Sequence, residues 1–245
     1  MSCVIPPPST AEGLLTPRLL TRFEDGEHLH ALIWSPGPGW RMASSAVLGG
    51  GIGERAWVLN AQVSHGYRRT DPDRHLASLA AQVGAQGLGV GVMTAADVSH
   101  HALTHDGGVS TLVTAGVTVR GWAASPALGT AVTTTPGTIN IVAALPVALS
   151  DGALVNAVAT ATEAKVQALL DAGLDCSGTP TDAVCIAARS PGRGVDLHAF
   201  AGPRSLWGSR LARAVHRGVL ETTRVDGHGD EYRAVIDPST AVCSS

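Results

Sequence analysis

Residues 138–188 read TINIVAALPVALSDGALVNAVATATEAKVQALLDAGLDCSGTPTDAVCIAA, and this stretch decides the fold class. TINIVAAL (138–145) is a short apolar run of the length of a buried strand. Ser150 is an N-cap residue, and from it a helix runs to about Ala172 and stops at Gly173. DAVCIAA (182–188) is apolar again and reads as a second strand. Strand, helix and strand in succession place the chain in the α/β class.

Working outward, HLHALIW (28–34), RMASSAVL (41–48) and AWVLNAQV (56–63) read as strands, with a turn at SPGPGW. DPDRHLASLAAQVG opens with Asp-Pro, carries Leu76, Leu79, Ala80 and Val83 at helical spacing and stops at Gly84. LGVGVMTAA and GVSTLVTAGVTV are rich in Val and Thr and read as two further strands. SLWGSRLARAVHRGVLETT closes the fold as a helix, with Leu206, Leu211, Val215, Val219 and Leu220 as its core face. Clusters of hairpin-like strands argue against a wholly parallel sheet. The expectation is one α/β domain of mixed, largely buried sheets flanked by helices, with a layered α-β-β-α sandwich as one arrangement. Its bounds are 19–225, after an extended Pro-rich lead-in (1–18) and before an extension (226–245).

A chain of 245 residues with 44% apolar content, 15% charged residues and a formal net charge of −3 can bury a core and has no electrostatic grip on nucleic acid. The expected partner is a small molecule, with self-association left open. Cys3, Cys176, Cys185 and Cys243 lack the paired spacing of zinc or redox motifs. No stretch has the length of a membrane span, so a cytoplasmic location and no membrane partner are expected.

In the helix after Ser150, Val155, Val158, Ala159, Thr162, Val166, Leu169 and Leu170 form an apolar stripe on a helical wheel, beside a narrow polar face of Asn156, Thr160, Glu163 and Gln167. Lys165 falls on the other flank among Leu154, Ala157, Ala161 and Ala168, where a charge needs a partner or a route to water. Two residues apart on a helix, Glu163 and Lys165 cannot pair with each other. One reading is a solvated glutamate and a lysine that reaches solvent. The other is a site, because the turn that follows, with Gly178, Thr179, Pro180, Thr181 and Asp182, sets hydroxyls and a carboxylate at the mouth of a strand.

GGGIGERA offers Gly51-x-Gly53-x-x-Ala56 after a strand, with Asp71 at the distance of a ribose-binding acid, but AWVLNAQV alternates as a strand where a dinucleotide fold needs a helix. The glycines, Gly50 and Gly51 among them, instead permit close approach of a ligand or backbone, or form a hairpin. Ser44 and Ser45 just before them are candidate nucleophiles. His28 and His30 share a strand face and His100 and His101 are adjacent, yet neither pair has a third ligand at a metal spacing, so no metal is expected. Trp40, Trp57, Trp122 and Trp207 read as core or pocket wall.

RMASSAVLGGG, VGVMTAADV, PGTINI, ALVNAVATATEAK, SGTPTDAV and FAGPRSLWGSRLARAV, in that order over residues 41–217, resemble the adenosylcobinamide amidohydrolase family. Thr-Glu-Ala-Lys and Gly-Thr-x-Thr-Asp are the most specific blocks. The chain departs from the family pattern at Pro180, where a second glycine is frequent. The resemblance implies an amide hydrolase of corrinoid salvage that removes aminopropanol from adenosylcobinamide to give adenosylcobyric acid, with no cofactor of its own. The alternatives are an amidase or acyltransferase on another small substrate, or a corrinoid-binding protein without turnover. The helix, its polar turn and the next strand also resemble enzymes whose N-terminal nucleophile is made by self-cleavage, such as the ornithine acetyltransferase group, with α-β-β-α layers.

Amide hydrolysis needs several groups at once, since acid–base help supplies about 10²- to 10⁴-fold and an oxyanion donor about 10²- to 10³-fold. The expected catalytic residues are Glu163, Lys165, Asp182 and Ser45. Glu163 or Asp182 would activate water or a hydroxyl, Lys165 would hold a carboxylate or polarise the carbonyl, and Ser44 or Ser45 as covalent nucleophile is the rival route. Thr138, Asn140, Thr179 and Thr181 would supply hydrogen bonds, with Ser44, Gly50, Gly51, Asn60 and Thr94 completing the expected substrate-binding set.

Overall fold

The computed structural model describes residues 13–125 and 137–225. Its strands are β1 (Arg18–Glu24), β2 (Glu27–Trp34), β3 (Trp40–Ser44), β4 (Gly51–Glu54), β5 (Trp57–Gln62), β6 (Gly89–Thr94), β7 (Ala102–Asp106), β8 (Val109–Gly116), β9 (Thr138–Ala144), β10 (Ala148–Leu149), β11 (Ala183–Arg189) and β12 (Leu197–His198). The helices are α1 (Pro72–Gln82), α2 (Asp151–Asp171) and α3 (Leu206–Val225). Four strands form one sheet in the order β1-β2-β5-β6, six form another in the order β4-β3-β11-β9-β8-β7, and β10 with β12 makes a short parallel pair.

Period-two alternation builds the layers. Ile139, Ile141 and Ala143 of β9 and Val184, Ile186 and Ala188 of β11 pack with α2 and α3, whereas Val142, Ala144, Cys185 and Ala187 face the four-stranded sheet. In that sheet Leu32, Trp34, Val58, Val90 and Val92 face inward, while Ala31, Ile33, Trp57, Leu59 and Ala61 meet Leu76, Leu79 and Ala80 of α1. The result is the α-β-β-α sandwich, in mixed sheets as expected: β9 pairs parallel with β11 and antiparallel with β8.

Several expectations are corrected. Leu15, within the stretch read as a lead-in, is buried between the sheets. RMASSAVL ends as a strand at Ser44, because Ser44 and Ser45 fasten to β11 and the chain turns into β4. In α2 the buried face is the flank of Ala153, Leu154, Ala157, Ala161, Ala164, Lys165 and Ala168, with Leu169 shared, while Val155 and Leu170 stand exposed. Small side chains let α2 sit close to both the sheet and α3, so volume outweighs hydrophobicity there. On α3, Leu211, Val215 and Val219 are buried as expected, but Leu206 is exposed in the first turn.

α3 is tied to β7 by Arg213, which donates from Nε and Nη2 to both oxygens of Asp106 (2.9 and 2.6 Å). The hydrogen bond from Arg213 and its charge hold the Asp106 carboxyl below the usual carboxylate range, although burial opposes them. Its contribution to stability is complete above the ordinary carboxylate value and is lost as the pH falls below that value toward the depressed one. Asp106→Asn is expected to lower the melting temperature at neutral pH and to flatten its decline on acidification, as a series of thermal melts would record.

Candidate active site

The parallel pair β9–β11 with α2 between them fixes the geometry. The eleven-residue link after α2 returns the chain to the start of β11, so the last turns of α2 and the first residues of β9 and β11 meet at one end of the sandwich. There the turn 178–182 divides its side chains between the two faces of the six-stranded sheet. Thr181 points between the sheets and meets Thr138, while Asp182 points toward α2 and meets Lys165.

Lys165 and Asp182 form an ion pair with side chains only 8% and 11% exposed. Asp182 Oδ2 accepts from Lys165 Nζ and from the Thr179 amide (3.2 Å). Its Oδ1 accepts from the Ile139 amide (2.9 Å) and Thr179 Oγ1 (2.5 Å). Four donors occupy the carboxylate, so it has no lone pair left to take a proton from water. Asp182 therefore clamps the start of β9 to α2 and aims the ammonium. Gly178 makes room for this: its φ is +148°, and a Cβ there would overlap Asp182 Oδ2 and Lys165 Nζ.

On the inter-sheet side, Thr138 Oγ1 lies 2.5 Å from Thr181 Oγ1, which donates to Gly137 O (3.0 Å). Deeper on this face Asn140 donates from Nδ2 to Asn60 Oδ1 (3.0 Å) and Met93 O (3.1 Å), and Asn60 donates to Thr114 Oγ1 (2.9 Å). Asn140 Oδ1 is buried and has no donor among the described residues. A buried acceptor left without a partner is costly, and it invites a ligand or water. Beside Gly116, the β8 partner of Thr138, opens a cleft of about 240 Å³ lined by Ala96, Asp97, His100, Ala115, Gly116, Val117 and Thr118. On its rim His30 Nδ1 is 3.0 Å from Asp97 Oδ1. Burial pushes the Asp97 carboxyl up, but hydrogen bonds from Ser99 and His30 outweigh it and hold it below the usual range.

The structure thus brings together Lys165, Asp182, Thr138, Thr179 and Thr181, with Asn60 and Asn140 on the adjoining inter-sheet face. Glu163 is not among them: it stands exposed on the outer side of α2, roughly 200° round the helix from Lys165, with no polar partner among the described residues. Thr94 is buried, where its hydroxyl accepts from the Ala96 amide and shapes the turn into the cleft wall. Gly50 lies in the exposed β3–β4 connection and Gly51 opens β4 at the sheet edge, paired to Ser44. The hydroxyls of Ser44 and Ser45 are engaged with the Val184 carbonyl and amide at 3.0 and 3.1 Å.

These serines fasten β3 to β11. Ser45→Ala is expected to keep hydrolytic activity within about threefold and to lose about 1 kcal/mol of stability, the worth of one hydrogen bond, as paired assays and denaturant melts would show. Gly178, Gly137, Asp97 and Thr114 were not in the expected site set. Gly178 lies inside the polar turn already singled out, whereas Thr114 is found only once β8 and β9 are paired. Among the described residues no group of three or more His, Cys, Asp or Glu is placed to hold a metal ion.

A family model described as adenosylcobinamide amidohydrolase matches residues 16–228. An adenosylcobinamide amidohydrolase of Methanosarcina mazei is 30% identical over 183 residues, covering 72% of this chain and 87% of that protein. An uncharacterized protein of Methanocaldococcus jannaschii is 34% identical over 93 residues, 35% of each chain.

Proposed function

Because the chain belongs to the adenosylcobinamide amidohydrolase family, we infer that it is a corrinoid-salvage hydrolase that cleaves the amide joining aminopropanol to the corrin ring, giving adenosylcobyric acid. The observation that carries the placement of this reaction is the clamp of Lys165, Asp182 and the 178–182 turn, which lies across the six-stranded sheet from the Thr138–Thr181 hydroxyl pair. In a dry setting an aimed ammonium and aligned hydroxyls are worth far more to a developing oxyanion than in water.

In this reading Lys165 polarises the substrate carbonyl and Asp182 is the positioning residue behind it. Asn140 Oδ1, deeper on the inter-sheet face, is the acceptor for a donor on the substrate arm beyond the scissile amide. The cleft beside Gly116 is of a size for the amide-bearing arm, so the macrocycle stays outside the sandwich. None of the described helices is long and apolar enough to cross a membrane, and we place the reaction in the cytoplasm, on free corrinoid.

Incubating the purified protein with adenosylcobinamide and following products by mass spectrometry tests the reading. Release of aminopropanol with formation of adenosylcobyric acid is expected; binding without conversion would leave a corrinoid-binding protein instead. Glu163→Gln should keep kcat/KM within about twofold of wild type, since an exposed side chain away from the clamp has no transition state to stabilise.

A further inference from the structure

We propose that the chain cleaves its own peptide bond between Gly137 and Thr138, and that the freed Thr138 is the nucleophile of the hydrolysis; the second half rests on the amidohydrolase reading above. The geometry sets a nucleophile, an electrophile and a proton path on one peptide. Thr181 Oγ1 donates to the Gly137 carbonyl and therefore accepts from Thr138 Oγ1, 2.5 Å away. The hydroxyl next to the scissile carbonyl thus touches the group that polarises that carbonyl. Asp182, adjacent to Thr181, holds the Ile139 amide, so the bond is gripped on both sides by one turn.

The surroundings fit the same role. Thr138 is 4% exposed and opens a strand flanked on both sides, which limits the water that could compete with the hydroxyl. A Cβ at position 137 would sit 2.7 Å from Gly116 O and 3.1 Å from the Val119 backbone, so a glycine on the acyl side is required by space. The intact site also lacks a free base, because all the lone pairs of Asp182 are engaged and the Thr181 hydroxyl is committed. Cleavage supplies one, the α-amine of Thr138, which can take the proton of its own hydroxyl.

The step balances without any co-reactant but water. Thr138 Oγ bonds to the Gly137 carbonyl carbon as the bond from that carbon to the Thr138 nitrogen breaks. The hydroxyl proton passes through Thr181 and ends on the nitrogen. One water then hydrolyses the ester, leaving a carboxyl group on Gly137 and the hydroxyl and free amine on Thr138. On the substrate, Thr138 Oγ displaces aminopropanol from the amide carbonyl, and water releases the acid from the resulting ester.

The test is the intact mass of the purified full-length protein, with N-terminal sequencing and, separately, the adenosylcobinamide assay. The expected result is conversion of the 24.9 kDa chain into two associated fragments, one beginning Thr-Ile-Asn, at a rate independent of protein concentration. Thr138→Ala stays in one piece, Thr138→Ser is still processed, and Thr181→Val is processed about 10²-fold more slowly, as for loss of an oxyanion donor. A wild-type chain that hydrolyses substrate while remaining a single 24.9 kDa species, or one cut at another bond, overturns the proposal. Processing without hydrolysis supports the cleavage and sinks the corrinoid reading. A chain that does neither overturns both. Should Thr138→Ala fail to fold, the mass of the wild-type chain still decides.

Discussion

Lys165→Met is expected to abolish measurable hydrolysis and to destabilise the fold by about 3–5 kcal/mol, because it leaves the Asp182 carboxylate buried without its cation. Loss of activity alone would not separate catalysis from unfolding, so the informative protein is the double variant Lys165→Met/Asp182→Asn. An asparagine at 182 is neutral and still offers an oxygen to the Ile139 amide and the Thr179 hydroxyl. Most of the lost stability should therefore return in denaturant melts. The ammonium is not restored, and kcat/KM should stay down by about 10²- to 10³-fold, the scale of a removed charge-stabilising group. Recovery of activity with stability would show that Lys165 serves the fold and not the reaction.

The second large effect belongs to Gly178. Its φ of +148° lies outside the regions that side-chain-bearing residues favour, and a Cβ would overlap the ion pair itself. Gly178→Ala must therefore push the 178–182 turn away from α2. The backbone cost is about 1–3 kcal/mol, and a displacement of ~1 Å at a reacting group costs about 10²-fold in rate. A fall in kcat of that order with the fold still cooperative is the expected outcome, measured by steady-state assay beside thermal unfolding. Full activity would mean that the turn does not position the chemistry.

The strands were legible where alternation was clean. TINIVAAL, HLHALIW and AWVLNAQV fold as read, because one face of each packs on a helix and the other on the opposing sheet. β1 and β7 escaped notice because RLLTRFE and ALTHD are partly polar, as edge strands are. α2 was found but turned the wrong way: its valines and leucines outweigh its alanines in hydrophobicity, yet only the alanines allow the close approach that two neighbours demand. The same reversal explains the two charges. Lys165 lies on the alanine face and is drawn into the site, whereas Glu163 lies opposite and stays in water.

The turn at 178–182 was legible as a polar cluster at a strand mouth, but not its division into two faces, since that depends on which strand Asp182 and Thr181 lead into. Ser45 shows the converse. A serine beside a glycine run is a reasonable nucleophile in sequence, but pairing with β11 engages its hydroxyl with the Val184 amide. Thr138 was placed among residues that bind substrate, and only its hydroxyl contact with Thr181 and that residue's bond to Gly137 point further.

In the proposed reaction the Lys165–Asp182 clamp drives hydrolysis of a corrinoid amide at this end of the sandwich. Its most direct test is turnover of adenosylcobinamide in ¹⁸O-labelled water by wild type and by the folded Lys165→Met/Asp182→Asn variant, with the product acid weighed. The prediction is one labelled oxygen in the carboxylate from wild type and no product above background from the variant. A folded variant that yields labelled acid at the wild-type rate would contradict it.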